Sequence, residues 1–221
     1  MTSQDDYTGE PLGRSSPVFT PGDEPYLGLA AVQFFDQMLI GLAAQQRQIG
    51  PWTRTNAMSA LQEAAAELVP GACSVTFSIR ELVRQGYLLS ARILLRPLVE
   101  RVSTLAYLID HEDAVDLWKA GWPHKSRPSL ATRLSTITGP GEVPADIKAA
   151  FDESRQIYNS LVHGDPHSAL TSAIVLPDGN PGYTISKDVR SPSRAAEICH
   201  EAGAYAMVLT VRSAQVFPLQ T

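Results

Sequence analysis

The segment from residue 87 to residue 110 is apolar nearly all round, yet it carries ionisable side chains. It is predicted to form one helix, whose surface is mostly covered by Leu88, Leu89, Ile93, Leu95, Leu98, Val99, Val102, Leu105, Ala106 and Ile109. A helix of this kind lies inside a bundle. Because an unpaired buried charge is costly, its charged groups must form ion pairs or line a hydrated pocket. The segment therefore predicts a helical bundle with a polar site inside it.

The polar residues of this segment fall on one stripe of the predicted helix. They follow one another at intervals of four, four, three and four: Arg92, Arg96, Glu100, Ser103 and Tyr107. Arg96 and Glu100 are within reach of each other, and Pro97 predicts a kink that leaves the carbonyl of Ile93 without its helical donor. Two interpretations stay open: a structural Arg–Glu pair that fixes the register of the helix, or the floor of a functional pocket.

The charge balance argues against a strongly basic nucleic-acid-binding domain. The 221 residues carry a formal net charge of −5, with 44% hydrophobic and 19% charged residues, which is an ordinary globular composition. Residues 1–25 hold five acidic side chains and one arginine, so most of the negative charge belongs to the N-terminal segment. Residues 78–101 hold five arginines and two glutamates, which predicts a local basic surface.

The chain is predicted to be one domain with an N-terminal tail. Residues 1–25 are rich in Ser, Thr, Asp, Gly and Pro, so we expect them to be disordered or loose on the surface, and residues 26–217 to form a single helical-bundle domain. Cys73 and Cys199 lack CxxC spacing and are expected to be reduced, buried thiols. The N-terminus has no signal-peptide pattern, and the most apolar window contains charges, so we expect a cytoplasmic protein without a membrane span.

Apolar periodicity and turn signals predict the helices of the first half of the chain. The first spans residues 28–48 and ends at Gly50-Pro51, and Thr53 caps a second that stops before Pro70-Gly71. A third helix over residues 72–85 ends or bends at Gly86, before the helix over residues 87–110.

The second half of the chain is predicted to add shorter helices and one hairpin. Asp110 is the expected N-cap of a short helix to residue 120, followed by a loop over residues 121–129, a short helix over 129–137 and a helix over 144–162. Residues 172–176 and 183–187 predict a β-hairpin, and Ser191 or Ser193 caps a last helix to residue 216. The predicted fold class is all-α, a helical bundle with a small β-hairpin insertion near residues 172–187.

A second polar cluster lies at the end of the helix predicted over residues 144–162. Asn159 and His163 are four residues apart and share a face at the C-terminus, where the helix dipole favours a protonated imidazole. The alternative is a histidine that only caps the last carbonyls.

Two segments together resemble a known family. LLRPLVE, residues 94–100, and YNSLVHG, residues 158–164, look like the pattern of bacterial helical proteins related to HEPN domains, the bundles named for higher eukaryotes and prokaryotes nucleotide-binding. Many HEPN proteins are metal-independent endoribonucleases of toxin–antitoxin and phage-defence systems, with an arginine, a polar residue and a histidine in their motif. His163 matches the histidine and Asn159 the polar residue, but Tyr158 occupies the arginine position.

The resemblance implies a site and partners. His163 would be the acid or base and Asn159 an orienting group, with Arg96 and Glu100 completing the catalytic set. Because Tyr158 cannot supply the cation that a phosphorane needs, Arg155 or Arg96 would supply it. Arg92, Arg155, Tyr158 and Tyr107 are the expected binding residues. RNA, a second copy of the chain, and a cognate antitoxin or operon partner are the implied partners, with no cofactor. The alternative is a non-catalytic interaction module.

Other motifs give little support to further functions. Residues 163–167 contain two histidines and an aspartate, but Gly164 and Pro166 break the helix that a zinc-binding pair needs, so no metal site is predicted. GxSxG, Walker, GxGxxG and HExxH motifs do not occur in the sequence. Trp118 and Trp122 are most simply packing residues, with the rim of a pocket as the alternative.

Overall fold

The computed structural model describes residues 17–137, 160, 173–175, 179–183 and 187–217. The described part is all-α apart from one short strand pair. Its longer helices are α1 (Ala30–Thr55), α2 (Ala60–Arg84), α3 (Leu88–Asp110) and, after the strands, α6 (Pro192–Val216). Between α3 and the strands lie two 3-10 turns, Glu112–Ala114 and Pro123–Lys125, and the short helices α4 (Val115–Lys119) and α5 (Leu130–Ser135). Strands β1 (Ala173–Val175) and β2 (Pro181–Tyr183) pair antiparallel, with Ile174 opposite Gly182.

Both proline stops predicted in the first half of the chain are wrong. Helix α1 continues through Gly50 and Pro51 to Thr55, and α2 runs through Pro70 and Gly71, so that two predicted helices are one. An interior proline removes one backbone hydrogen bond at a cost of about 3 kcal/mol. At Pro70 the buried neighbours Val69 and Ala72 offset that cost, because they hold both sides of the proline in the core.

The start of α2 also differs from the prediction, because Ser59 rather than Thr53 is its N-cap. The Ser59 hydroxyl accepts a hydrogen bond from the backbone N–H of Gln62, and the Gln62 side chain accepts one from the backbone N–H of Ser59. This capping box satisfies two backbone donors at once. Thr53 lies inside α1, where its hydroxyl donates to the carbonyl of Gly50 at 3.0 Å.

Helix α3 has the bounds that the sequence predicts to within one residue, and Gly86 ends α2 as expected. Gly86 has a φ of +77°, which favours glycine. Its N–H donates to the carbonyl of Val83 at 3.0 Å, and the N–H of Tyr87 donates to the carbonyl of Leu82 at 2.8 Å. This pair of bonds is a Schellman motif, and it turns the chain directly from α2 into α3.

The four long helices share one core. Helix α1 packs along α6, and α2 packs along α3, with α6 also against α2 and α3. Phe35, Leu42, Ile79, Leu95 and Leu209 are among its fully buried side chains. Cys73 and Cys199 are also in this core as free thiols, and burial raises the pKa of each to about 12. None of the helices that the structure describes is long and apolar enough to cross a membrane.

A second, smaller core supports the chain after α3. It consists of Ala64, Leu108, Ala114 and Val115, with Tyr107, Trp118 and Trp122 packed against it. Asp110 does not cap the next helix as predicted, because its carboxylate accepts a hydrogen bond from Arg212 at 3.2 Å. Ser129 does cap α5, accepting from the N–H of Thr132 at 3.0 Å.

Residues 17–25 are not the loose tail that was predicted. Glu24 is 6% exposed, and its carboxylate accepts from Arg80 at 2.6 Å, while Asp36 accepts from the same guanidinium at 2.6 Å. Burial lowers the pKa of Arg80, but the hydrogen bonds that Arg80 donates to these two carboxylates outweigh it and raise that pKa above its ordinary value. The ion pair with Glu24 therefore stabilises the charge of Arg80, and it holds residues 17–25 on α2. Residues 1–16 lie outside the described residues.

Candidate functional site

The polar site of α3 is built around the carboxylate of Glu100. It accepts from Arg96 at 2.7 Å, from Arg127 at 2.8 Å and from Arg133 at 2.5 Å. The predicted pair of Arg96 and Glu100 is confirmed, because the four-residue spacing places both on one face of α3. We call Glu100, its three arginines, Ser103 and Thr104 the Glu100 cluster.

Arg133 is the most deeply buried member of the Glu100 cluster. It lies on α5 and is 2% exposed. Besides Glu100, its guanidinium donates to the hydroxyl of Thr104 at 2.8 Å and to that of Ser103 at 3.4 Å. Burial lowers the pKa of Arg133 from its ordinary value, and the hydrogen bond that Arg133 donates to Glu100 opposes this. These contacts fix α5 on α3.

The Glu100 cluster has more positive charge than its single carboxylate can neutralise. Three guanidiniums surround one carboxylate, which leaves an excess of two positive charges. Two of their nitrogens, Nη1 of Arg96 and Nε of Arg133, are buried without a hydrogen-bond acceptor among the described residues. The excess positive charge therefore favours an anion at the accessible edge of the cluster, where the Arg127 side chain is 55% exposed.

The stripe predicted on α3 does not gather at one site. Ser103 joins the Glu100 cluster, but Arg92 approaches Glu197 of α6 at 3.8 Å, and the ring of Tyr107 lies 4.3 Å from that of His111. Arg92 and Tyr107 share a face of the helix, but their fifteen positions correspond to about 22 Å along its axis. The stripe is therefore a line of separate contacts, with Glu100 at its centre.

The second polar cluster of the sequence is not described. Arg155, Tyr158, Asn159 and His163 lie outside the described residues, so the predicted approach of Arg96 and His163 stays a prediction. Within that stretch only Ser160 is described, as a helical residue that is 5% exposed.

A cleft of about 750 Å³ opens beside the Glu100 cluster. We call it the tryptophan cleft, and it is lined by Glu100, Arg101, Thr104, Trp118, Trp122 and Arg127, together with Glu67, Leu68, Lys119 and Gly121. The cleft thus joins the charged cluster of α3 to Trp118 of α4 and to Trp122, which follows α4.

Sequence reasoning missed Arg127 and Arg133 as site residues. Arg127 is in a polar loop, where an arginine gives no signal. Arg133 was detectable in principle, because Leu130 and Leu134 place it on the buried face of α5. An arginine on a buried face is stabilised by pairing with a carboxylate.

The fold and the Glu100 cluster define a helical protein with a partly buried, arginine-rich polar site. Comparison of the chain with protein-family models, with curated proteins and with solved structures found no match. Within the described ranges, no group of three or more His, Cys, Asp or Glu side chains could hold a metal ion.

Proposed function

We propose that this chain is a HEPN-like protein that acts on RNA and that the Glu100 cluster holds phosphate charge. The single observation that carries the proposal is the excess of guanidinium over carboxylate at Glu100. Guanidinium groups bind phosphate oxygens with paired hydrogen bonds.

The proposed reaction is cleavage of RNA by its own 2′-hydroxyl. The 2′-oxygen attacks the phosphorus and loses its proton to a base, and the 5′-oxygen leaves with a proton from an acid, giving a 2′,3′-cyclic phosphate and a 5′-hydroxyl. His163 is proposed for proton transfer and Asn159 as its orienting group. Arg96 stabilises the charge that develops on the phosphorane, in place of the arginine that Tyr158 replaces.

The wider setting of this proposal comes from the HEPN resemblance. It comprises a homodimer, a cognate antitoxin or operon partner, and a role in toxin–antitoxin or phage-defence systems. Arg155 and Tyr158 are proposed to contact the RNA beside His163.

The test is an RNA cleavage assay with the purified chain in EDTA. We expect a product ending in a 2′,3′-cyclic phosphate, lost in His163→Ala and strongly reduced in Arg96→Ala, with both melting temperatures measured. Arg47→Ala is the matched control, because Arg47 is exposed on α1 and should have no effect. An unmodified RNA substrate after prolonged incubation with the wild-type chain contradicts the catalytic proposal.

A second candidate function is a non-catalytic interaction module. It is favoured by the contacts of Arg133. Most of the hydrogen bonds of this guanidinium are donated to groups of α3, so that they hold α5 on α3 and do not bind a ligand. For such a module, Arg96→Ala lowers the melting temperature and RNA has no effect on any variant. Melting scans with and without an RNA oligonucleotide separate the two functions.

A further inference from the structure

We propose that the tryptophan cleft binds one unstacked nucleotide of single-stranded RNA, with its base against Trp118 and Trp122 and its phosphates beside Arg101 and Arg127. The inference rests on the proposed function, because it names the form of RNA that the same face of α3 takes. It adds a binding site that does not depend on His163.

The end of α4 brings two tryptophans to the same cleft. The N–H of Gly121 donates to the carbonyl of Trp118 at 2.9 Å, and the N–H of Trp122 donates to the carbonyl of Leu117 at 2.8 Å. This is a second Schellman motif, with φ at +75° for Gly121. Trp122 itself has a φ of +56°, a left-handed conformation that bulky side chains rarely adopt. The backbone is thus held in an unfavourable form that brings Trp122 to the cleft beside Trp118.

Both tryptophans are supported from behind. They pack against the second core, and the ring of Trp122 meets that of Tyr107 edge to face at 6.4 Å. Each is nevertheless only half-buried and lines the cleft. A fixed aromatic ring loses little entropy when a base stacks on it, so these rings suit a stacking platform.

Cationic side chains line the same cleft as the two tryptophans. Arg101 donates to the carbonyl of Pro97 at 3.1 Å, and none of the described carboxylates forms an ion pair with it. Arg127 is 55% exposed at its side chain and shares the carboxylate of Glu100 with two other arginines. Lys119 is paired with Glu63 at 2.5 Å, and Glu67 is an acidic group of the wall. The two arginines therefore supply the charge for phosphate.

The shape of the cleft selects a single strand. Its volume of about 750 Å³ lies within the range of sites for small ligands, about 300–1000 Å³. In a duplex each base is stacked on its neighbours and cannot reach an aromatic side chain, whereas an unpaired base can be turned out and stacked. A nucleotide within a strand also carries a phosphate at each end of its sugar, which gives the two arginines of the cleft two anionic groups to bind.

Binding is tested with a fluorescein-labelled uridine 12-mer made of 2′-O-methyl nucleotides, which has no free 2′-hydroxyl and cannot be cleaved by its own attack. Trp122→Leu should weaken binding by about tenfold, since stacking contributes on this scale for each base. Arg127→Gln should weaken binding and reduce the dependence of log Kd on log salt by about one. Arg54→Gln, an exposed arginine at the end of α1, is the matched control.

Tryptophan fluorescence gives a readout that a folding defect does not imitate. The oligonucleotide should quench the emission of the wild-type chain and of Trp52→Phe, because Trp52 packs against Phe217 away from the cleft. It should not quench the double variant Trp118→Phe, Trp122→Phe. A matched deoxythymidine strand tests whether the 2′-position is read, and a DNA duplex should leave the emission unchanged.

The outcomes distinguish this inference from the proposed function. Cleft-dependent binding without cleavage of unmodified RNA keeps the inference and removes the catalytic role. Cleavage of RNA together with oligonucleotide binding that is unaffected by Trp122→Leu and Arg127→Gln overturns the inference alone. Binding of uridine monophosphate as tight as that of the 12-mer also overturns it, since the site is then for a free nucleotide.

Discussion

Replacing Glu100 by glutamine removes the only carboxylate of the Glu100 cluster with almost no change of shape. Arg133, 2% exposed, then keeps its charge in the interior with no counter-ion among its described contacts. Removing one partner of a buried ion pair costs about 3–5 kcal/mol. Because the Glu100 side chain is 20% exposed, we expect the lower end, about 3 kcal/mol of unfolding free energy.

This loss should be visible in thermal and urea unfolding. For a chain of this size, about 1 kcal/mol shifts the melting temperature by roughly 2–4 °C, so Glu100→Gln should melt about 6–12 °C lower. Glu81→Gln is the control, because Glu81 pairs with Arg84 on the surface with its side chain 52% exposed, and it should change stability by less than about 0.5 kcal/mol. A melting temperature of Glu100→Gln within 2 °C of the wild type, by the scale used above, refutes the reasoning.

A double variant tests the cause of the loss. Glu100→Gln combined with Arg133→Met has no buried charge on α5, so it should be more stable than Glu100→Gln alone. The coupling energy from the four proteins should exceed about 1 kcal/mol, since the side chains are in direct contact. Additive effects of the two substitutions argue against a buried ion pair.

Three further predictions concern the rest of the fold. Ser59→Ala should cost about 1 kcal/mol in urea unfolding because the capping box with Gln62 is lost, and an unchanged midpoint contradicts that role. Leu95→Ala should cost about 3 kcal/mol, because Leu95 is 0% exposed, and a cost below about 1 kcal/mol means that the core closes the cavity. Burial raises the pKa of Glu201 to about 7 from its ordinary value of 4.5, against the opposing charge of Arg92, so stability should fall as pH rises from about 4.5 to about 7. The melting temperature of Glu201→Gln should lack this fall between about pH 4.5 and about pH 7. If the melting temperatures of the variant and the wild type change with pH in parallel, the prediction is wrong.

Sequence reasoning succeeded where the signal is local. The bounds of α3 and the pair of Arg96 and Glu100 follow from spacing along one helix, and Gly86 ends α2 because only glycine takes its φ easily. The same local reasoning failed at Pro51 and Pro70, because both helices continue through their proline. At Pro70 the buried neighbours outweigh the lost hydrogen bond.

The contacts between distant segments were not predictable in the same way. Arg133 is thirty-three positions from Glu100, on a helix of six residues that is too short for a clear period. Glu24 belongs to a stretch whose composition is typical of disorder, yet its buried carboxylate forms an ion pair with the partly buried guanidinium of Arg80 on α2. In both cases a charge in the interior determined which distant segment had to pack against it.

The structural and ligand-binding interpretations of the Glu100 cluster are compatible. The variant Glu100→Gln should change stability and affinity for RNA in opposite directions. Arg133 is committed to Glu100 and the hydroxyls of α3, so the remaining capacity for an anion belongs to Arg96 and Arg127. Removing the carboxylate frees both from their competitor while it destabilises α5. Glu100→Gln should therefore unfold more easily and yet bind the 2′-O-methyl 12-mer more tightly at low salt, because anion binding gains a full positive charge. Equal losses of stability and affinity would mean that the cluster only supports the fold.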